Sequence, residues 1–344
     1  MKLFLHKLFH WEYWPFYIVY IPVYFQWAYY SLKARTLFFF NACNPSIKNG
    51  GFMSESKMEI YDLIPQQYFP KTILIKSGSC FEDALQQIHH SGIVFPMIAK
   101  PDIGLRGSAV RKLNTIEQLR NYQEKAAFDY LLQDLIPYQH EAGIFYVRYP
   151  HEKQGKITGI VGKEFLIIKG DGKSTIEALV KNNPRYAFQL TPLRREYGNR
   201  LAKIPAEGEE INLVPYGNHA RGAKFTDESW RISEQLTHTI NEVCLQVPGF
   251  FFGRLDVMYR TFEELEQGRN FQIVEINGAS SEPTHIYDPR NSIFFAWKEI
   301  RRHIRYMYEI SNENHKNGTP YLSHRQGMEQ YRIHNRQSKK ITRF

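Results

Sequence analysis

Two short runs near residue 260 constrain this chain more than any other feature. Gly253-Arg254-Leu255-Asp256-Val257-Met258 and Phe271-Gln272-Ile273-Val274-Glu275-Ile276-Asn277 each alternate apolar with polar residues, and the polar stretch from Thr261 to Asn270, with Gly268, can join them. Alternation at period two predicts a β-hairpin, on which residues two apart share a face. Arg254 and Asp256 then point one way on the first strand, and Glu275 and Asn277 point one way on the second. Leu255, Val257, Val274 and Ile276 fill the opposite, apolar face. Two carboxylates, an amide and a guanidinium converge.

Convergence of that kind on a half-buried sheet is costly unless something positive sits between the carboxylates. Oxygen ligands from Asp256, Glu275 and Asn277 suit a hard cation, Mg²⁺ or Mn²⁺, which keeps several waters and binds through one or two carboxylates together with substrate phosphates. The competing reading is a hairpin whose charged face looks only at water.

Upstream, Phe95-Pro96-Met97-Ile98-Ala99-Lys100-Pro101 reads as a short apolar strand ending in a lysine, and a loop from Asp102 to Val110 follows it. Gly104 and Gly107 permit a tight loop with backbone N–H groups free for phosphate oxygens, and Lys100 and Arg106 add positive charge. Next, Tyr130 to Pro137 is an apolar strand reaching a turn, with Glu141 shortly beyond. Taken singly, Lys100 and Glu141 read as surface charge.

In this order the elements resemble the ATP-grasp superfamily, most closely its D-alanine:D-alanine ligase branch, over roughly residues 80 to 312. The resemblance implies an α+β (α/β-type) fold in which two α+β subdomains clasp ATP. It makes the Lys100 strand and the loop with Arg106, Gly107 and Ser108 a phosphate-binding element. Gln133, Asp134, Leu135 and Ile136 become an adenine-binding hinge. Glu141, one residue later than the family's spacing, becomes the ribose contact. Arg254, Asp256, Glu275 and Asn277 match the R-x-D and E-x-N metal strands, and Ser281 to Pro289 resembles the serine-containing segment after them.

A second resemblance covers Phe165 to Leu179, which is similar to the insertion of cyanophycin synthetase-type ATP-grasp proteins, with Asn212-Leu213 and Tyr216 to Lys224 similar to a lid carrying basic groups. Gly170-Asp171-Gly172-Lys173-Ser174-Thr175 lacks the four-residue spacer of a Walker loop and reads as a turn plus a helix start capped by Ser174 or Thr175.

What the family implies is an ATP- and Mg²⁺-dependent ligase, with two ions, that phosphorylates a carboxylate and lets an amine or another nucleophile displace phosphate. Catalysis of that kind is mainly positioning and electrostatic stabilisation. Arg254 is the candidate for stabilising the acyl phosphate, Arg221 and Lys224 for closing over the γ-phosphate, and His219 stands equally as a substrate contact or a surface histidine.

Charge is placed at the ends. The net charge is +9; residues 1 to 50 hold five Lys/Arg against Glu12 and residues 313 to 344 hold seven against Glu313 and Glu329, so the middle is neutral overall. Tyr13 to Leu32 has no charged residue and is crowded with aromatics, while Pro15 and Pro22 disfavour a plain spanning helix. Aromatic rings with polar tips prefer the headgroup layer. Peripheral membrane contact and docking on the body therefore compete as readings, with a transmembrane helix behind both. Three cysteines without disulfide or metal spacing fit a reducing, cytoplasmic setting.

The division this predicts is an aromatic arm over 1–45, a short pre-grasp region over 46–80 replacing the family's fuller N-terminal domain, an ATP-grasp domain over 81–312 and a basic tail over 313–344. The shortened front makes D-alanine a doubtful substrate and leaves an amino acid, a peptide or a lipid-linked carboxylate open. The other function classes are a noncatalytic ATP-binding regulator and, more weakly, nucleic-acid binding by the basic tail, whose plainer reading is a solvated, disordered end.

Overall fold

The computed structural model describes residues 9–104, 107–164, 166–214 and 223–344. Eleven strands are described, and every pairing among them is antiparallel. Strands β1 (Thr72–Ile75), β2 (Met97–Pro101), β3 (Arg111–Leu113) and β4 (Tyr130–Asp134) form a small sheet in the order β1-β4-β2-β3. A larger sheet is built from β5 (His140–Val147), β6 (Lys156–Glu164), β9 (Lys224–Asp227), β10 (Phe252–Tyr259) and β11 (Phe271–Asn277), in the order β11-β10-β5-β6-β9. Between β6 and β9 in sequence, β7 (Leu166–Lys169) and β8 (Glu210–Val214) pair by themselves, and the helix Ile176–Asn182 packs on them with Thr175 as its cap.

Alternation decides which faces are covered. On the small sheet Met97, Ala99, Leu132 and Ile75 face the helices Phe81–Ser91 and Ile116–Lys125, leaving Lys100 and Gln133 on the other side. On the large sheet Leu255, Val257, Ile144 and Ile276 pack against the helix Glu234–Leu245, leaving Arg254 and Asp256 on the other side. Farther along that second face of the large sheet, Phe145, Val147 and Phe252 are covered by Met307 and Ile310 of the helix Ile293–Lys316. The segment holding Ile60, Tyr61 and Phe69 lies between the sheets and packs with Leu131 of β4 and Ile273 of β11.

The described segments nearest the two termini dock on the body. The helix Ile293–Lys316 runs through the boundary expected at 312. Residues read as a solvated tail form the helix His324–Thr342, which opens on a capping box from Ser323 and Gln326. Gly327 lies so close to Phe38 that a Cβ would fall 2.3 Å from the ring. Farther on, Ile341 and Phe344 enter the core of the small sheet, where Phe344 meets Tyr122 and Phe128. At the other end, the helix Ile21–Ala34 buries Val23 and Tyr30, so docking on the body is what one of its faces does. No described helix is long and apolar enough to cross a membrane.

Candidate functional site

The hairpin forms, and its register sets Arg254 opposite Asn277 and Asp256 opposite Glu275. One expectation fails. Val274 does not share the apolar face, because the register shifts after Asp256 so that Val257 pairs with Ile273. The extra residue makes a β-bulge, which frees the Val274 carbonyl to accept from the Tyr61 hydroxyl and from the Lys100 ammonium at 3.1 Å. The joining stretch also holds a short helix, Phe262–Glu266, capped by Thr261.

Lys100 is buried, and its three partners are all neutral oxygens: Tyr61 Oη at 2.9 Å, Gln133 Oε1 at 2.9 Å and the Val274 carbonyl. With no carboxylate in contact, burial lowers its pKa to about 7. Gln133 in turn donates to Tyr61 and to Thr72 Oγ1. Asp134, Leu135 and Ile136 follow it out of β4 towards β5, Ile136 buried and Leu135 exposed.

The large sheet presents a chain of alternating charge. Asp256, buried, accepts from Arg254 Nε at 2.8 Å and Nη2 at 3.1 Å, while Lys163 lies 3.4 Å away on its other side. Lys163 also contacts Glu141 at 2.5 Å. Burial opposes the charge on Asp256 and on Lys163, but their partners outweigh it, so the aspartate's pKa is lowered and the lysine's raised. Asn277 Nδ2 stands 3.5 Å from Asp256, and Arg254 also donates to the Glu282 carbonyl at 3.3 Å. Gly143, facing this group, has no room for a side chain: a Cβ would lie 2.9 Å from Arg254 and 3.0 Å from Asp256.

Glu275 is partnered by Lys57 at 3.0 Å. Lys57 is placed by Asp102, which follows β2 directly: Asp102 accepts from Ser56 Oγ and Met58 N through its carboxylate, and its carbonyl accepts from Lys57 N. Gly104 closes over the pair, and a Cβ there would fall 2.0 Å from Lys57 Nζ and 3.5 Å from Glu275 Oε1. Thus the loop after the Lys100 strand and the Glu275 strand meet around one positive charge. In the same loop Gly107 has φ +73°, which glycine adopts freely, and Ser108 follows it in the turn.

Lys100, Gln133, Arg254, Asp256, Glu275, Asn277 and Glu141 are therefore brought to the facing sides of the two sheets. Lys224 is not. It pairs with Glu164 at 2.9 Å in an exposed bridge on the edge strand β9, and alternation turns Glu164 away from Lys163's side. Arg106, Arg221 and His219 lie outside the described residues.

No protein-family model and no curated protein matches the chain. Among solved structures the chain is similar to a bifunctional glutathione synthetase from Pasteurella multocida, at 13% identity and TM-score 0.38 over 78% of this chain and 38% of that one. It is similar to the VanG D-Ala:D-Ser ligase from Enterococcus faecalis, at 12% identity and TM-score 0.43 over 79% and 64% of the two chains. A D-alanine-D-alanine ligase from Bacillus anthracis aligns at 13% identity and TM-score 0.43, over 76% and 69%. The chain thus spans little more than a third of the first of these proteins. Likeness of this extent carries no functional weight, which falls on the residues themselves.

Four groups of the cluster were not singled out as site residues in the sequence: Lys57, Tyr61, Asp102 and Lys163. Lys163 had no legible signal: the apolar residues of β6, Ile157, Ile160 and Val161, do not alternate, and its partners stand far off in sequence at positions 141 and 256.

Proposed function

We propose that the protein binds ATP between its two sheets and joins a carboxylate to an amine, as an ATP-grasp ligase does. The observation that carries this reading is the meeting of Lys100, Lys57, Lys163 and Arg254 with Asp256 and Glu275 on facing sheets, cations for a triphosphate beside carboxylates for its counterion.

Among the described residues, no group of three or more His, Cys, Asp or Glu is gathered to hold a metal. The donor set is instead two carboxylates paired across the hairpin and an amide. Its chemistry fits Mg²⁺, and the cradle that Gly104 forms over Lys57 and Glu275 is already built around a positive charge. Asp256, Glu275 and Asn277 would hold the ion, which when bound supplies neutralisation of the triphosphate charge.

Within this reading Lys100 holds phosphate oxygens, because its ammonium has no other anion in contact. Lys57, leaving Glu275, follows the phosphates. The substrate carboxylate oxygen attacks the γ-phosphorus and ADP leaves; the amine nitrogen then attacks the acyl carbon and phosphate leaves. Arg254, held by Asp256 and the Glu282 carbonyl, stabilises the charge that builds on the acyl oxygens. Gln133 to Ile136 line the adenine side and Glu141 the ribose side. The substrate is an amino acid, a peptide or a lipid-linked acid.

The test is Mg²⁺-dependent ADP release by the purified protein with pooled amino acids, pooled dipeptides or a membrane-lipid extract, against Glu275→Ala. Release that needs one pool and falls at least about a hundredfold in the variant supports the ligase. Tight ATP binding without turnover in any pool supports a regulatory ATP-binding protein instead.

A further inference from the structure

The arm helix Ile21–Ala34 docks by one face and leaves the other open. Val23 packs with Ala296 and Ile300, Tyr30 stacks on Tyr308 with ring centroids 4.2 Å apart, and Gln26 donates to the Arg301 carbonyl at 2.9 Å. On the opposite face Phe25 is 76% exposed, Tyr29 52% and Leu32 80%. Large apolar groups are not left in water in such a row without a reason.

Across the seam, the helix Ile293–Lys316 exposes Phe294, Lys298, Arg301 and Arg305, which recur at three and four positions and so form one stripe beside the arm. Its acidic residues are occupied elsewhere: Glu299 is buried, Glu309 accepts from Tyr149, and Glu313 contacts His151. The arm helix itself has no acidic residue, and its Lys33 lies 4.7 Å from the centre of the Tyr29 ring. An aromatic and aliphatic strip therefore runs beside a row of cations with no exposed acid between them.

We propose that this face, with Phe25, Tyr29 and Leu32 beside Lys298, Arg301 and Arg305, docks on an anionic lipid surface. The strip supplies the apolar contact and the cations the attraction to headgroups, the two signals that stable peripheral attachment requires. Two copies of this chain meeting through the face would set these cations against one another. The arm is also tied to the site, since the Tyr20 hydroxyl bonds the Glu282 carboxylate and Arg254 donates to the Glu282 carbonyl.

The experiment is vesicle flotation of the full chain, with phosphatidylcholine alone and with phosphatidylcholine containing phosphatidylglycerol, independent of any turnover. The wild type floats with the anionic vesicles and not with the neutral ones. A Phe25→Ser/Tyr29→Ser variant and an Arg301→Glu/Arg305→Glu variant each lose at least about tenfold in partition while melting as the wild type does. If the second variant melts early, Lys298→Glu at its exposed position supplies the charge arm. Absence of flotation by the wild type overturns the proposal, as does equal flotation by the variants. So does a wild-type dimer that Phe25→Ser/Tyr29→Ser converts to monomer without any vesicle binding.

Discussion

Lys100 on the small sheet and Lys163 on the large one both have buried side chains, yet their charges are held in opposite ways. Around Lys100 stand a hydroxyl, an amide oxygen and a backbone carbonyl, and burial brings its pKa down to about 7. Lys163 lies between Glu141 and Asp256, which outweigh burial and raise its pKa. The same residue type becomes a waiting charge in one sheet and a fixed counterion in the other. An incoming polyanion gains more at Lys100, because it displaces only a neutral oxygen there and not a carboxylate.

The largest effect separates the two by stability. Lys163→Met leaves two buried carboxylates with one cation fewer and destabilises the fold by about 3–5 kcal/mol in denaturant unfolding. Lys100→Met strands no charge, so its stability stays within about 1 kcal/mol of wild type while ATP affinity falls at least tenfold by about 1.4 kcal/mol or more. Equal destabilisation of the two variants would break the contrast.

The pH dependence sharpens it. Between pH 7 and the ordinary lysine value of 10.5, the folded state holds Lys100 neutral while the unfolded chain keeps the proton. The unfolded state therefore binds more protons, and stability from this group rises with pH, by up to about 1.4 kcal/mol per unit. Lys163 has the reverse sign: its contribution is complete below its unfolded value of 10.5 and is lost as pH rises through its higher folded pKa. Unfolding free energies measured from pH 7 to 10 should climb less steeply in Lys100→Met than in wild type.

Smaller effects test the surroundings. Tyr61→Phe removes the hydroxyl shared by Lys100, Gln133 and the Val274 carbonyl and costs about 1–2 kcal/mol. Lys224→Ala breaks only an exposed pair with Glu164 and changes stability by less than about 0.5 kcal/mol. Were ADP release in that variant to fall tenfold, Lys224 would work at a position other than the one it occupies here.

Much of this was legible in the chain. Alternation placed the hairpin and its charged face, because a half-buried strand imposes period two on its own sequence, and a short apolar run placed the Lys100 strand. The bulge at Val274 left a trace in the sequence that a simple period-two reading passes over: Ile273 and Val274 are adjacent apolar residues, so the alternation of residues 271 to 277 changes phase where the register slips and the Val274 carbonyl turns to Tyr61 and Lys100. The Lys163 pairing was not legible, since alternation gives a side chain's face but not what stands opposite. The basic end looked solvated because its charges dominate its composition, while two apolar residues, Ile341 and Phe344, anchor it.

That anchoring reaches back a long way along the chain. The small sheet is made from residues 72 to 134, yet Ile341 and Phe344 belong to its core. On a ribosome, its strands and helices emerge while this part of the apolar layer has yet to be made, and some two hundred further residues must be added before the cover arrives. Over that interval Tyr122 and Phe128 lack the ring that finally sits against them, and the nascent small sheet is a natural substrate for a chaperone that shields apolar surface.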